Sequence, residues 1–576
     1  DNYGEFVGYK TDHDPNDRGS SAGPYTSRYM TEALEKAVKQ ENTEIFDCFQ
    51  VIQVLCAKGC LYGILCVDTA DGTYVLIRCR NLVYATGGPA GMYEDSVYPV
   101  SQFGSSGLAF EAGVLGKNLT EWQYGLASVK PRWNVSGSYM QALPKFISTD
   151  LKGGDEREFL IDAYKTLEEM MDMVFLKGYQ WPFDARKVSG GSSMVDLLVY
   201  RETCVKNRRV WLDYRQNPGD RPVNFAGLSQ ETREYLKKAN ACGQTPYERL
   251  CQLNGPAVAF YREHGVDLKT QMLEVAVCAQ HNNGGLSVDS WWQTNIKGFF
   301  AVGEVAGTHG IYRPGGSALN AGQVGSTRAA QFIAAHKDKE EKWSREEEEE
   351  FLELARRRIV VGESILKTWE TDGKGTLSMR WTAAARQMSR YGAMLRHREG
   401  MEQMLLKIND ELKEIQDVDQ RIIQNQTEKG RQAEPWEEDG QRNLDQKKAR
   451  QMVFFYRYYD MRLCQKVYLE AMLEYGAHGG KSRGSAIYQE NKEEGQTEKP
   501  SQIWIPQLSV FSLDGPDGRA HQHEVQEILY DKGKNECRIF WRHVRKLEDI
   551  PSPQAFEVVW KVYRENQVYQ DRGGRR

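Results

Sequence analysis

The stretch Gly298-Phe-Phe-Ala-Val-Gly303-Glu304-Val-Ala-Gly-Thr-His309-Gly-Ile-Tyr-Arg313-Pro-Gly-Gly-Ser317-Ala-Leu-Asn320 decides how this chain is read. Phe299 to Val302 has the pattern of a buried strand. The chain then breaks into glycines around one acid, Glu304, one histidine, His309, and one arginine, Arg313, and resumes as a helix after Ser317. A strand feeding a glycine-rich turn and a helix presents backbone N–H groups and a positive dipole end to an anionic or electron-rich ligand. Glycine lets that ligand approach the backbone. Glu304 suits sugar or sugar-alcohol hydroxyls as an acceptor, and Arg313 suits a carboxylate as a bidentate donor. An ordinary strand–loop–helix junction needs neither six glycines nor three functional side chains in so short a span.

A second segment points the same way. Cys60 to Gly88 reads as three strands: Leu61 to Val67, Thr73 to Cys79 after an Asp71-Gly72 turn, and Leu82 to Ala85. The last runs straight into Thr86-Gly87-Gly88. A buried strand ending in Thr-Gly-Gly is typical of nucleotide-binding flavoproteins, whose last backbone groups meet the cofactor.

At these residues the chain resembles the flavoprotein family of succinate dehydrogenase, fumarate reductase and L-aspartate oxidase, with adenylylsulfate reductase as a more distant relative. The matching stretches include Ala85-Thr-Gly-Gly88, Gly107-Leu-Ala-Phe-Glu-Ala-Gly113, Glu121-Trp-Gln-Tyr124, Val210-Trp-Leu-Asp213, His281-Asn-Asn-Gly-Gly-Leu286, Gly303-Glu304, His309-Gly310, Arg313, Ser317-Ala-Leu-Asn320 and Ser482-Arg-Gly484. They cover the first 340 or so residues well and Phe351 to Gly484 more loosely. The resemblance implies FAD, held by Thr86, Gly87, Gly88, Gly303, Glu304, Ser317, Leu319 and Asn320. It implies hydride transfer between flavin and a small-molecule carboxylate substrate, with Arg313, His281 and His309 at the substrate. It also implies an oligomer with an iron–sulfur or ferredoxin-like electron-transfer subunit.

The fold this implies is α/β plus α+β. A Rossmann-like FAD-binding domain (1–117 and 281–340) would hold an inserted capping domain (118–280). A helical domain (341–490) and a small β-rich C-terminal extension (491–576) would follow. The family opens with a strand, a Gly-x-Gly-x-x-Gly turn and a helix that hold the FAD pyrophosphate. No such motif occurs in these 576 residues. A βαβ unit needs roughly 30 residues, so the expectation is an N-terminally incomplete version of a longer polypeptide. The alternative is a natural chain that has lost FAD binding.

Composition sets bounds. With 75 basic and 80 acidic residues the net charge is −5, and no global basic field points to nucleic acid. No apolar run approaches the roughly 20 residues that span a bilayer. The 11 cysteines are odd in number and include no Cys-x-x-Cys, so no metal site is expected. Unpaired cysteines favour a reducing, cytoplasmic setting.

Local patterns supply elements. Ser27 to Lys39 and Gly107 to Gly116 read as helices. Ser344-Arg-Glu-Glu347 fits a capping box. Met401, Met404, Leu405, Ile408, Leu412 and Ile415 follow helical spacing, and a further helix covers Ala449 to Tyr475 and stops at Gly479-Gly480. Ser501 to Val544 carries strand patterns with turns at Asp514 to Gly518 and Asp531 to Gly533.

The candidate site departs from the family in several places. After Gln123-Tyr124 the family has histidine, proline and threonine, whereas this chain has Gly125-Leu126-Ala127-Ser128. The family's proton-transferring arginine has no matching context, and none of Arg132, Arg186 or Arg201 fills it. Tyr312 and Pro314 flank Arg313 where asparagine and leucine are usual, a bulkier wall that points to a larger or less charged substrate. His281 or Gln280 stands for the second substrate histidine. Arg483 is either a ligand or an ion-pair anchor.

The leading functional reading is a flavin oxidoreductase acting on a carboxylated small molecule. The alternatives are a flavin-dependent amine, amino-acid or sulfur-compound oxidoreductase, and a flavin-bearing scaffold subunit.

Overall fold

The structure, a computed structural model, describes residues 25–313, 316–336, 343–371, 375–428, 446–489 and 523–544. It adds short pieces at 8–11, 14–20 and 442–443 and the single residues 373 and 521. The centre is a parallel pair of short strands, Leu82–Tyr84 and Phe299–Ala301, in the register Phe299↔Leu82 and Ala301↔Tyr84. The rings of Tyr84 and Phe299 meet edge to face at 5.3 Å. Both strands end in glycine turns: Gly87 has φ 72° and Gly303 has φ 71°, backbone that only glycine adopts without strain. The helix Ser317–His336 follows the second turn and packs so close that a Cβ on Gly322 would lie 4.0 Å from the Gly303 Cα.

Beside this pair lies an antiparallel sheet with the order 442–443, 73–78, 60–68, 49–57. The sequence pattern places the start of this region at Cys60 and misses its first strand, Phe49–Ala57. The connecting turn explains the omission. Lys58 (φ 50°) and Gly59 (φ 74°) form a two-residue hairpin with positive φ at both positions, although lysine is not a turn residue. The helix expected from Gly107 to Gly116 is also corrected. It runs Ser106–Glu111, Gly113 turns the chain at φ 89°, and Gly116–Lys117 becomes a strand.

Residues 122–282 build a six-stranded antiparallel sheet in the order 157–158, 145–149, 209–213, 273–282, 122–128, 133–134. The strands Trp122–Ser128 and Leu273–Asn282 pair with a bulge between Ala279 and His281. Such bulges re-aim side chains beside functional sites.

Helices Arg345–Thr371, Leu377–Tyr391, Arg398–Glu428 and Gln446–Ala477 follow. The capping box is present: the Glu347 N–H donates to Ser344 Oγ (3.2 Å) and the Ser344 N–H to Glu347 Oε2 (2.7 Å). Met401, Met404, Ile408, Leu412 and Ile415 are buried as their spacing required, and Leu405 is half-buried. A hairpin, Glu524–Asp531 with Glu536–His543, turns at Asp531 to Gly533 and joins Gly116–Lys117 in a four-stranded sheet. The turn at Asp514 to Gly518 lies outside the described residues.

A buried ion-pair cluster ties these parts together. Arg358 Nη1 donates to Glu111 Oε1 (3.0 Å), which also receives the Tyr459 hydroxyl (2.9 Å) and pairs with Lys532 Nζ of the hairpin (2.8 Å). Burial works against the Glu111 carboxylate, but Arg358 and Lys532 prevail and hold its pKa down at about 2. Removing one partner of such a pair costs about 3–5 kcal/mol, against about 1 kcal/mol or less for an exposed pair. Arg358→Ala should therefore lower the urea midpoint strongly, whereas Arg386→Ala, which breaks the exposed pair with Glu94, should barely move it.

Candidate active site

The parallel pair sets Thr86-Gly87-Gly88 and Gly303-Glu304 side by side at the carboxyl ends of their strands, where open α/β sheets bind ligands. The half-buried Glu304 carboxylate lies over Gly88, where a Cβ would come 2.5 Å from Glu304 Oε1. Glu304 Oε1 accepts the Asn282 N–H (2.8 Å) and the Tyr98 hydroxyl. Burial raises the Glu304 pKa, opposed by these two donors and by Arg313. The direction in which a Gly303 side chain would point is open, with no atom within 4 Å, and Thr86 Oγ1 is buried without a partner. An acceptor carboxylate, an unsatisfied hydroxyl and a bare glycine cradle fit a sugar-bearing cofactor. Ser317, Leu319 and Asn320 stand in the first turn of the adjoining helix, the first two half-buried and Asn320 exposed.

Arg313, His281 and His309 come together next to this cradle. Arg313 is 7 % exposed and clamped from both ends: its Nε donates to Gln123 Oε1 (2.9 Å), and Gln123 Nε2 donates to its carbonyl (2.9 Å). The rings of His281 and His309 meet edge to face at 4.7 Å. His281 Nδ1 lies 3.0 Å from Asn283 Oδ1, and Asn283 Nδ2 donates to the Ile311 carbonyl. With Asn283 so oriented, Oδ1 must accept, so His281 carries its proton on Nδ1 and its buried Nε2 is an acceptor without a partner. Burial, then Arg313 and His309, push the His281 pKa well below its usual value. Burial and Arg313 push His309 down to about 4.

Other expectations resolve into structure. Arg483 is a buried anchor: its Nη2 lies 2.8 Å from Glu121 Oε1 and its guanidinium sits 5.2 Å from the Tyr475 ring centre. Gly484 lies directly against the Tyr312 hydroxyl, leaving no room for a Cβ. Arg186 is held by Asp184 and stacks on Tyr312 at 4.4 Å, Arg201 faces Glu202, and Arg132 donates to the Tyr98 and Glu94 carbonyls. Sequence reasoning does not find Tyr98 or Trp181, and it places Asn283 within a matching stretch without a sign that it orients His281. It places Gln123 within a matching stretch but gives no sign that it clamps Arg313.

Residues 201–319 match the model of an FAD binding domain. One chain of the CoM/CoB fumarate reductase of Methanothermobacter marburgensis is 26% identical over 53% of this chain and 48% of its own length. L-aspartate oxidase 2 of Ralstonia nicotianae is 22% identical over 51% and 47%. The FrdA chain of E. coli quinol fumarate reductase shares the fold at a TM-score of 0.55, with 18% identity over 92% of this chain and 76% of that one. The chain is similar to this flavoprotein family, and these similarities support FAD as its cofactor. The flavoprotein spans about half the length of the curated relatives it matches. A chain of the Mycobacterium smegmatis Sdh1 complex (TM-score 0.58, 15% identity, 97% and 80% covered) and adenylylsulfate reductase from Archaeoglobus fulgidus (0.52, 12%, 90% and 75%) share its fold.

The two histidines make a sign-definite prediction for the ligand-free protein. Between about pH 4 and the ordinary histidine value near 6.5, the unfolded chain binds protons that native His309 refuses. Stability therefore falls as pH falls through that window. His309→Gln should shrink the loss of Tm between pH 7 and pH 4.5. An unchanged loss would mean that His309 titrates normally.

Proposed function

We propose that the flavoprotein is an FAD-dependent oxidoreductase that moves a hydride between flavin and a small carboxylated substrate. The observation that carries this reading is the buried, clamped Arg313 beside Glu304 and two neutral histidines. On this reading, 1–117 and 281–340 form the FAD-binding domain, 118–280 the capping domain, 341–490 the helical domain and 491–576 an extension.

When bound, FAD supplies the hydride acceptor or donor. Thr86, Gly87, Gly88, Gly303 and Glu304 would hold it, with Ser317, Leu319 and Asn320 at the helix start. Arg313 binds and orients the substrate carboxylate through charge-assisted hydrogen bonds. Gln123 fixes the guanidinium plane, so little reorientation is needed on binding. His281 Nε2 accepts a hydrogen bond from the substrate, and the Trp181 ring lies beside Arg313. Among the described residues no group of three or more His, Cys, Asp or Glu could hold a metal ion, and no helix is long and apolar enough to cross a membrane. In our reading electrons pass to or from a separate chain, an iron–sulfur or ferredoxin-like partner, in keeping with a relative that is itself one subunit of a fumarate reductase.

The first test is an absorbance spectrum of the purified protein before and after acid precipitation. A flavin spectrum is expected. A protein that stays colourless after incubation with FAD would overturn the enzyme reading. Glu304→Ala should lose flavin, since it removes the hydroxyl acceptor; full flavin content in the variant would take Glu304 out of the cofactor site. Arg313→Ala should keep its flavin and lose about a hundredfold or more in kcat/KM, the scale of a lost charge-assisted contact. Unchanged turnover would remove Arg313 from the substrate site.

A further inference from the structure

An indole lies beside the Arg313 clamp. Gln123, which clamps Arg313, and Gly125 are two residues apart on one strand and so share a face. A Cβ at Gly125 would lie 2.8 Å from Trp181 Nε1 and 3.0 Å from Gln280 Oε1, so the indole edge fills the room a side chain would take. The Trp181 ring centre is 5.9 Å from the Arg313 guanidinium carbon. Trp181 thus borders both the carboxylate-binding arginine and the strand face where Gly125 has no side chain.

The polar atoms here are unspent. Trp181 Nε1, a donor, and Gln280 Oε1, an acceptor, are both buried without partners. Gln280 Nε2 donates to the Leu126 carbonyl (3.1 Å), which fixes Oε1 as the face turned toward Gly125. His281 Nε2 is a third buried atom without a partner, and it too accepts. His309 Nε2, on the ring that meets His281 at 4.7 Å, is also buried without a partner and gives or takes according to its tautomer. On the Trp181–Gln280–His281 side, two unsatisfied acceptors and one donor ask for a ligand group that gives hydrogens and takes one. A carboxylate only accepts. Against Gln280 Oε1 and His281 Nε2 it would set acceptor against acceptor in a buried place. Nearby cations are committed within the chain: Arg186 to Asp184, Arg483 to Glu121, and Arg132 to backbone carbonyls.

We propose that Trp181 and Gln280, meeting over Gly125, select a monocarboxylate whose far end carries a neutral donor–acceptor group of the carboxamide type, and reject a dicarboxylate. The indole N–H donates to the amide oxygen, and Gln280 Oε1 accepts from the amide N–H. This deepens the proposed function and rests on its assignment of the substrate carboxylate to Arg313.

Fumarate and its monoamide, fumaramate, are near-isosteric and differ in this one group, which makes them suitable probes. Calorimetric titration of the FAD-loaded protein should find fumaramate bound at least tenfold more tightly than fumarate, since a buried hydrogen bond is worth about a factor of ten or more. Trp181→Phe keeps the ring and removes the N–H, and should cut that preference to about threefold or less. Gly125→His with Trp181→Ala removes the indole and adds a side chain in its place, and should shift the preference toward fumarate. Flavin content and Tm of each variant report whether it has folded. Fumarate binding as tightly as fumaramate to the unaltered protein, or an unchanged preference in Trp181→Phe, would overturn the selection by Trp181 while leaving the function standing. Failure of both probes and of acrylate to bind would overturn the carboxylate role of Arg313, and this inference with it.

Discussion

Three paired residues carry the site. The hydrogen bonds between Leu82–Tyr84 and Phe299–Ala301 join segments more than two hundred residues apart, and their register decides which turn meets which. A slip of one residue would turn each side chain to the opposite face and carry Glu304 away from Gly88. So short a ladder is weak alone. It holds because Phe299, Phe300 and Ala301 are fully buried and the helix Ser317–His336 closes on Gly303 through Gly322. The cofactor cradle and the Arg313 cluster follow from this one alignment, since the second strand continues directly into both.

The substrate side is held from farther away. Gln123 lies on a strand of the antiparallel sheet and clamps an arginine from the glycine-rich loop, so two separately built sheets meet at one guanidinium. Glu121, just before the same strand, is gripped by Arg483, and the next residue, Gly484, backs Tyr312. Burying these charges is costly, and only their pairing makes the burial tolerable. Rigid surroundings of this kind keep a binding group in place before the ligand arrives.

Much of this is legible in the sequence where chemistry is local. The Gly303-Glu304 turn, the Thr86-Gly87-Gly88 turn, the Ser344 capping box and the spacing of Met401 to Ile415 all report short-range rules. The strand Phe49–Ala57 escapes such rules because its turn uses lysine at a positive φ. The short helix at Ser106 reads as too long because Gly113 turns the chain by backbone conformation, with no polar cap to mark the place. Tyr98 on Glu304 and Trp181 over Gly125 carry no local signal at all. Each is one aromatic residue among many, and its role exists only through partners 206 and 56 residues away. In the sequence Gly125 stands out for the histidine it replaces; that an indole fills the gap is a fact of packing.

The position of Gly484 has a consequence for the making of the protein. Chains leave the ribosome from the N-terminus, and early segments begin to fold before later ones exist. Once Arg313 and the helix Ser317–His336 have emerged, the strand pair, the cradle and the Gln123 clamp can form. The backing of Tyr312 and the partner of Glu121 are still to be synthesised. Through that interval Glu121 is an acid without its arginine next to the strand that carries Gln123, and Tyr312 lacks its rear support. Cofactor capture can therefore precede completion of the substrate pocket during translation, with Arg483 and Gly484 closing it later.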